Sequence, residues 1–321
     1  MKSADGSSIL PYLPDSEVRA LLSLTELIGA VEEALVAFSA GKAAQPLRSV
    51  VSLDEGSAHM FAMPARHIVA GLKLVTLAPR NAAIGLPTHS SVVLAVHPKT
   101  GIPMAVMDAD YITQMRTAAA SVVATKYLAD ASPRKLALIG AGVQAEGHLV
   151  MMRQIFPRIE ASVWARDGDK TARFAEVNGC KAAPTAEEAV ADADVVVTAT
   201  TSTTPVLKGA WLKPGAHVNA VGAPRPDWRE LDDAAMANVV FADSRAAALT
   251  ESGDVIGAQA EIAGEIGDVA AGRLEVDRSR TTIFKSLGQA VEDMAAAYLV
   301  LREAGLVSAL RGQKREAVPQ F

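Results

Sequence analysis

Apolar positions along the chain fall into two regimes. After Ser23-Leu24-Thr25-Glu26, a capping-box pattern, Leu27, Val31, Leu35 and Phe38 recur at helical spacing, and Gly41 is a stop signal. Residues 47–105 then read as strands: Val50, Val51 and Leu53; Met60, Phe61 and Met63; Gly71 to Val75; Ser91 to Val96. Pro98-Lys99-Thr100-Gly101 marks a hairpin turn, and helix returns from about Asp110 to Ala129. From Lys135 short apolar runs alternate with helical stretches. The runs are 136–139, 161–165, 194–199, 216–221 and 238–242; the helical stretches 143–156, 168–178 and 185–191 separate the first of them. That alternation predicts a doubly wound parallel sheet. Ile283 to Ala304 reads as one long helix rich in Ala, Leu and Val, folding back on the first domain. The fold class expected is α/β, a Rossmann sheet plus a mixed α/β domain.

The segment Leu136-Ala137-Leu138-Ile139-Gly140-Ala141-Gly142-Val143-Gln144-Ala145 is a buried strand entering a Gly-x-Gly-x-x-Ala turn. Gly140 permits the turn, Gly142 admits a pyrophosphate against the backbone, and Ala145 keeps helix and strand close. Free N–H groups at the helix start face the phosphates. An acid holding a ribose 2′-OH belongs at the end of the next strand. The strand Ser162-Val163-Trp164 places Ala165 there, with Arg166 beside it, and an arginine suits a 2′-phosphate. The reading is NADPH, with NADH as the alternative; Asp167 becomes the ribose acid if the register slips by two.

Composition narrows the partners. Lys plus Arg is 31 and Asp plus Glu 36, a net charge of −5 without a basic tract, which argues against nucleic acid. No apolar run approaches ~18 residues and Met1 to Pro14 lacks a signal pattern, so the expectation is a cytoplasmic protein with no membrane association. A single cysteine, Cys180, excludes an intrachain disulfide framework, and the histidines lack metal-ligand spacing. Before the nucleotide motif, three cations stand in apolar company with no acid beside them: Arg48, Lys73 and Arg116. Burying an unpaired cation is costly, so such residues call for an anion, and a substrate carboxylate supplies one. His89 is a candidate acid or base.

Six stretches occur in an order that resembles the ornithine cyclodeaminase/μ-crystallin family: Gly71-Leu72-Lys73-Leu74-Val75, Gly85-Leu86-Pro87-Thr88-His89, Arg116 to Ser121, Ile139 to Ala145, Gly215 to Gly222, and Phe284 to Asp293. Arg225 to Asp233, Glu251-Ser252-Gly253-Asp254-Val255 and Val163-Trp164-Ala165-Arg166 are similar to its ketimine-reductase branch. The resemblance implies a homodimer that works in proline metabolism. It implies a substrate-binding and dimerisation domain from residues 1–117 with 293–321, and a Rossmann domain from 118–292. It implies that Arg48, Lys73, Arg116 and Glu251 bind the substrate, with Lys73, Arg48 and Arg116 catalytic. It further implies that Thr88, His89, Arg116, Gly140, Gly142, Val143, Gln144, Arg166, Thr200, Val221 and Ser286 contact the cofactor. Cyclodeaminases carry an aspartate just after the Val-Gly-Gly stretch, where this chain has Val221-Gly222-Ala223-Pro224. Proline cannot exchange a side-chain proton. The expected activity is therefore NADPH-dependent reduction of a cyclic ketimine carboxylate, Δ1-pyrroline-2-carboxylate or Δ1-piperideine-2-carboxylate, to L-proline or L-pipecolate. Cyclodeamination, alanine-dehydrogenase-like reductive amination and a non-enzymatic NADPH-dependent binding protein are the alternatives.

Overall fold

A computed structural model describes residues 10–307. Most of the Met1–Pro14 stretch and the far C-terminal end of the first expected domain lie outside them. Two sheets organise the chain. The first has six strands, β1 Tyr12–Leu13, β2 Ser49–Leu53, β3 Ala58–Arg66, β4 Ala70–Leu77, β5 His89–Val96 and β6 Pro103–Asp108, in the order β1-β6-β5-β4-β3-β2. It is antiparallel except where β1 joins β6. The second has eight parallel strands, β7 Lys135–Ile139, β8 Glu160–Trp164, β9 Lys181–Ala182, β10 Val195–Thr198, β11 His217–Ala220, β12 Val239–Ala242, β13 Ile262–Glu265 and β14 Thr282–Lys285, ordered β13-β12-β14-β11-β10-β7-β8-β9. Helices cover both of its faces, so its strands are apolar without alternation; Val195, Val196 and Val197 are all fully buried.

The end of the chain departs from expectation. Thr282–Lys285 is not the start of a helix but a strand set between β11 and β12, and the helix begins only at Ala290 and ends at Glu303. Periodicity cannot separate a short buried strand from a buried helix segment. The break lies at Ser286–Gln289, where Gly288 takes φ +78°. The strands β9 and β13 also escaped the sequence pattern, being short and at the two sheet edges.

The helix Asp110–Leu128 carries no amphipathic stripe because it has no wet side. It packs against the helices Leu24–Ser39, Val143–Ile155 and Ala290–Glu303, against β5 of the first sheet, and against β11 and β14 of the second. Ala118, Ala119 and Ala120 are fully buried, and small side chains let these layers approach. This helix runs unbroken through residues 117 and 118, and Ala290–Glu303 runs through 292 and 293. At Gly71 on β4 an added Cβ would meet Met294 Sδ at 2.7 Å, so the C-terminal helix does lie on the first sheet, as the sequence predicts.

Two buried histidines give this packing a pH dependence. His148 Nδ1 lies 2.7 Å from the Gln144 carbonyl and Nε2 2.9 Å from Ser121 Oγ; the carbonyl can only accept, so the ring is the neutral Nδ1–H tautomer. Burial pushes His148 down to about 4, and His217 likewise. The unfolded chain protonates near 6.5, so the stability tied to each ring is complete above that pH and is lost as pH falls toward 4. Each is worth at most roughly 3 kcal/mol. Glu292, raised to about 7 by burial, acts in the opposite sense across part of this window. The test is therefore a difference: urea unfolding between pH 7 and 4 is expected to show His148→Gln losing about one proton of the wild-type slope. Equal slopes would show the ring is already charged in the fold.

Candidate functional site

The candidate site is built at the carboxyl ends of the parallel strands. The sheet order turns about at β7 and β10, the position where open α/β sheets take ligands. Gly140 leaves β7 with φ +115°, and an added Cβ would meet the Ala199 carbonyl at 2.5 Å, so only glycine fits. Gly142 is the N-cap of Val143–Ile155, has no side-chain cap, and has nothing within 4 Å of where a Cβ would stand. That open space above uncapped N–H groups fits a pyrophosphate. Val143 is largely exposed there, while Gln144 Oε1 is buried without a partner. Gln114, on the central helix, donates to the Val143 carbonyl at 3.0 Å and fixes this turn from below.

Arg166 is exposed at the end of β8, lining a pocket with Trp164, Ala165, Thr171 and Pro184. Asp167 is committed elsewhere: its carboxylate caps the helix Gly168–Asn178, accepting from Lys170 N at 3.0 Å. Asp167 Oδ1 is thus tied to its helix, and Arg166 stands exposed beside it. On the other side, Thr200, Val221 and Ser286 follow the ends of β10, β11 and β14. Ser286 Oγ is buried without a partner. Thr88 and His89 lie at the start of β5; His89 Nδ1 is 3.5 Å from Asp110 Oδ1, at the head of the central helix.

The three cations are brought together, but not unaccompanied. Lys73, on the helix-covered face of β4 and 1% exposed, has Nζ 2.8 Å from Asp293 Oδ1. The same oxygen accepts from Arg116 Nε at 3.0 Å, and Arg116 Nη1 is 2.8 Å from Glu292 Oε2. Arg48 Nε lies 2.9 Å from Glu251 Oε2, and its Nη2 donates to the carbonyls of Leu287 and Gly288. The expectation of cations without acids is thus corrected: the acids come from residues far along the chain. Glu292 and Asp293 are fully buried and were missed as site residues. Standing in the first turn of an Ala-rich helix, they read as ordinary dipole-complementing acids. Their signal was the apolar company of Ala290-Val291 and Met294-Ala295-Ala296.

The electrostatics follow from burial. Desolvation, then the neighbouring Arg116, lowers Lys73 to about 8 against the pull of Asp293. Desolvation raises Glu292 to about 7 against Arg116. Arg116 itself is raised; burial works against its charge, but Asp293 and Glu292 outweigh it. Among the described residues, Glu292 Oε1 and Asp293 Oδ2 are buried acceptors without a hydrogen-bond partner. Among the described residues, Arg48 Nη1 and Arg116 Nη2 have no acceptor. Both guanidiniums converge on Gly288, where an added Cβ would meet Arg116 Nη1 at 2.5 Å. This residue lies just past β14, so the cation cluster sits beside the strand ends.

Residues 13–305 match the model of the ornithine cyclodeaminase/mu-crystallin family. The chain is 44% identical over 295 residues to the ketimine reductase mu-crystallin of Macropus fuliginosus, covering 88% of this chain and 93% of that one. A Thermococcus litoralis Δ1-pyrroline-2-carboxylate reductase, solved with NADH and L-proline, superposes with a TM-score of 0.87 at 34% identity, covering 92% and 97% of the two chains. An archaeal alanine dehydrogenase dimer with bound NAD superposes at 0.86 and 34%, covering 96% and 99%. With its motifs in family order, its fold superposing on those relatives and residues 13–305 matched, this chain belongs to the ornithine cyclodeaminase/mu-crystallin family.

Proposed function

We propose that the protein is an NADPH-dependent ketimine reductase. It reduces Δ1-pyrroline-2-carboxylate or Δ1-piperideine-2-carboxylate to L-proline or L-pipecolate. The observation that carries this reading is the convergence of Arg48 and Arg116 on Gly288, with Lys73 joined to Arg116 through Asp293, beside the strand ends. Two guanidinium faces with unused donors suit one small carboxylate. Two of the named relatives are a ketimine reductase and a Δ1-pyrroline-2-carboxylate reductase.

Gly140 to Gln144, with Thr200, Val221 and Ser286, would hold a nicotinamide dinucleotide, which would supply the hydride. The protein's own contribution is placement and a proton. Arg48 and Arg116 orient the carboxylate so that C2 of the ring faces the cofactor, and such orientation is a large share of catalysis. Lys73 Nζ, protonated below about 8, supplies the imine nitrogen with its proton. The open acceptors of Asp293 and Glu292 receive the N–H of the resulting amine. Pro224 offers no carboxylate where cyclodeaminases have one, so this site lacks the group that handles a departing amine.

Arg166 selects NADPH over NADH, since Asp167 is committed to its helix cap. The working form is a homodimer. The face of the first sheet turned away from the helices is apolar and partly exposed at Val51, Met60, Leu74, Val92, Leu94 and Val106, a patch of the kind that marks an interface.

The test follows NADPH oxidation with Δ1-pyrroline-2-carboxylate, with NADH and with pyruvate plus ammonia as comparisons. Turnover of the cyclic imine is expected with NADPH. In Arg166→Ala the KM for NADPH is expected to rise about 10- to 100-fold, with NADH little changed, because one charge-assisted contact is lost. Activity confined to pyruvate and ammonia would move the protein to reductive amination.

A further inference from the structure

One buried carboxylate is not used by this chemistry. Glu230 is fully buried and accepts four hydrogen bonds: Oε1 from Thr200 N at 2.6 Å and Thr200 Oγ1 at 2.6 Å, Oε2 from Thr198 Oγ1 at 2.9 Å and Gly222 N at 2.7 Å. Thr198 and Thr200 belong to the end of β10, and Gly222 follows β11. A Cβ on Gly222 would stand 2.3 Å from the Glu230 carboxyl carbon, so that glycine is required by the close approach of the carboxylate. The chain around Glu230 is itself held. Asp254 Oδ1 accepts from Glu230 N at 2.8 Å and Leu231 N at 3.0 Å, and Asp254 Oδ2 lies 2.9 Å from Lys285 Nζ. Lys285 ends β14 and donates also to the Gly222 carbonyl. The preceding turn rests on Gly253, where a Cβ would lie 1.9 Å from the Trp228 carbonyl.

A single buried cluster thus ties together the ends of β10, β11 and β14. These are the three ends that carry Thr200, Val221 and Ser286. We propose that Glu230 is a positioning residue that fixes the nicotinamide half of the cofactor site, with Asp254 and Lys285 as its support. The proposal rests on the nucleotide-binding reading but not on the identity of the substrate. Every group that faces the carboxylate is a donor, and two of them are backbone N–H groups that cannot reverse. A carboxyl group can offer an acceptor oxygen to both of these N–H groups at once, which an amide cannot do. In Glu230→Gln the amide NH2 must confront either Thr200 N–H or Gly222 N–H, which leaves one of them unmet in a dry site.

The experiment separates the two halves of the cofactor. Binding of NADPH and of 2′,5′-ADP, its adenine-side analogue, is titrated with wild type and Glu230→Gln, and kcat is measured beside it. Expected is a Kd for 2′,5′-ADP within about 2-fold of wild type, while NADPH affinity or kcat falls roughly 10- to 100-fold, the penalty for one unmet buried group. Thr198→Val, which removes one donor and keeps the shape, is expected to shift the same readings the same way by about 3- to 10-fold. It carries the test if Glu230→Gln does not fold. Equal losses for both ligands, or none, would overturn the proposal, because a merely structural residue gives no such split. A wild type that binds 2′,5′-ADP and NADPH without reducing any imine would refute the reductase reading and leave this test intact. A wild type that binds neither would refute both.

Discussion

Lys73→Met is expected to lower kcat by about 100- to 10,000-fold, the range for loss of a positioned proton donor, while the KM for NADPH stays near that of wild type. Lys73 is buried to 1% exposure and held by one oxygen of Asp293, so it has a single orientation. Burial and Arg116 bring it to about 8, so it is charged at neutral pH yet ready to release its proton. The pH profile follows: wild-type kcat is expected to fall as pH rises through about 8, when Lys73 loses its proton. Lys73→Arg keeps the charge and discards the transferable proton, since a guanidinium holds it too tightly. If Lys73→Arg kept wild-type turnover, Lys73 would be an electrostatic support and not the donor. Lys73→Met with wild-type turnover would remove the residue from the mechanism.

The legible parts of this molecule were those that local rules determine. The Gly140–Gly142 turn, the strand before it and the helix cap at Ser23 are short-range features, and local chemistry fixes each of them. The strand Thr282–Lys285 was not legible, because its burial between β11 and β12 comes from chain far away in sequence. The cations were found for a partly wrong reason. Lys73 and Arg116 looked alone because their acids are 220 and 177 residues away. Glu230 escaped attention entirely. Its stretch, Arg225 to Asp233, carried a family likeness but no role for this acid, and only the fold aims it under Thr200 and Gly222. Sequence displays the groups that chemistry requires, whereas the groups that hold them still are visible only once distant segments meet.

Arg116 is where function and stability coincide, and its removal is the largest stability change expected. Arg116→Met leaves Glu292 and Asp293 buried with only Lys73 opposite them. Breaking a buried ion pair from one side costs about 3–5 kcal/mol, because the remaining charge is desolvated and uncompensated. Urea unfolding at neutral pH is expected to show a lower midpoint by that amount, with the m-value unchanged. The dependence on pH identifies the cause. Glu292 is already raised to about 7 by burial, against the pull of Arg116, and without Arg116 it rises further. A carboxyl raised in the fold binds its proton more tightly there than in the unfolded chain. Its stabilisation is therefore present at low pH and lost as pH rises from about 4.5 through its folded value. Arg116→Met is accordingly expected to recover part of its stability near pH 5, and adding Glu292→Gln is expected to recover part of it at pH 7. A variant equally destabilised at both pH values, and unhelped by Glu292→Gln, would assign the loss to packing of the long Arg116 side chain rather than to its charge. Arg116→Lys divides the two roles. It keeps a cation near Asp293 but cannot bridge Asp293 and Glu292 as the planar guanidinium does. Most of the stability should return, while substrate KM stays well above wild type, because a point charge does not offer a carboxylate the paired donors of a guanidinium.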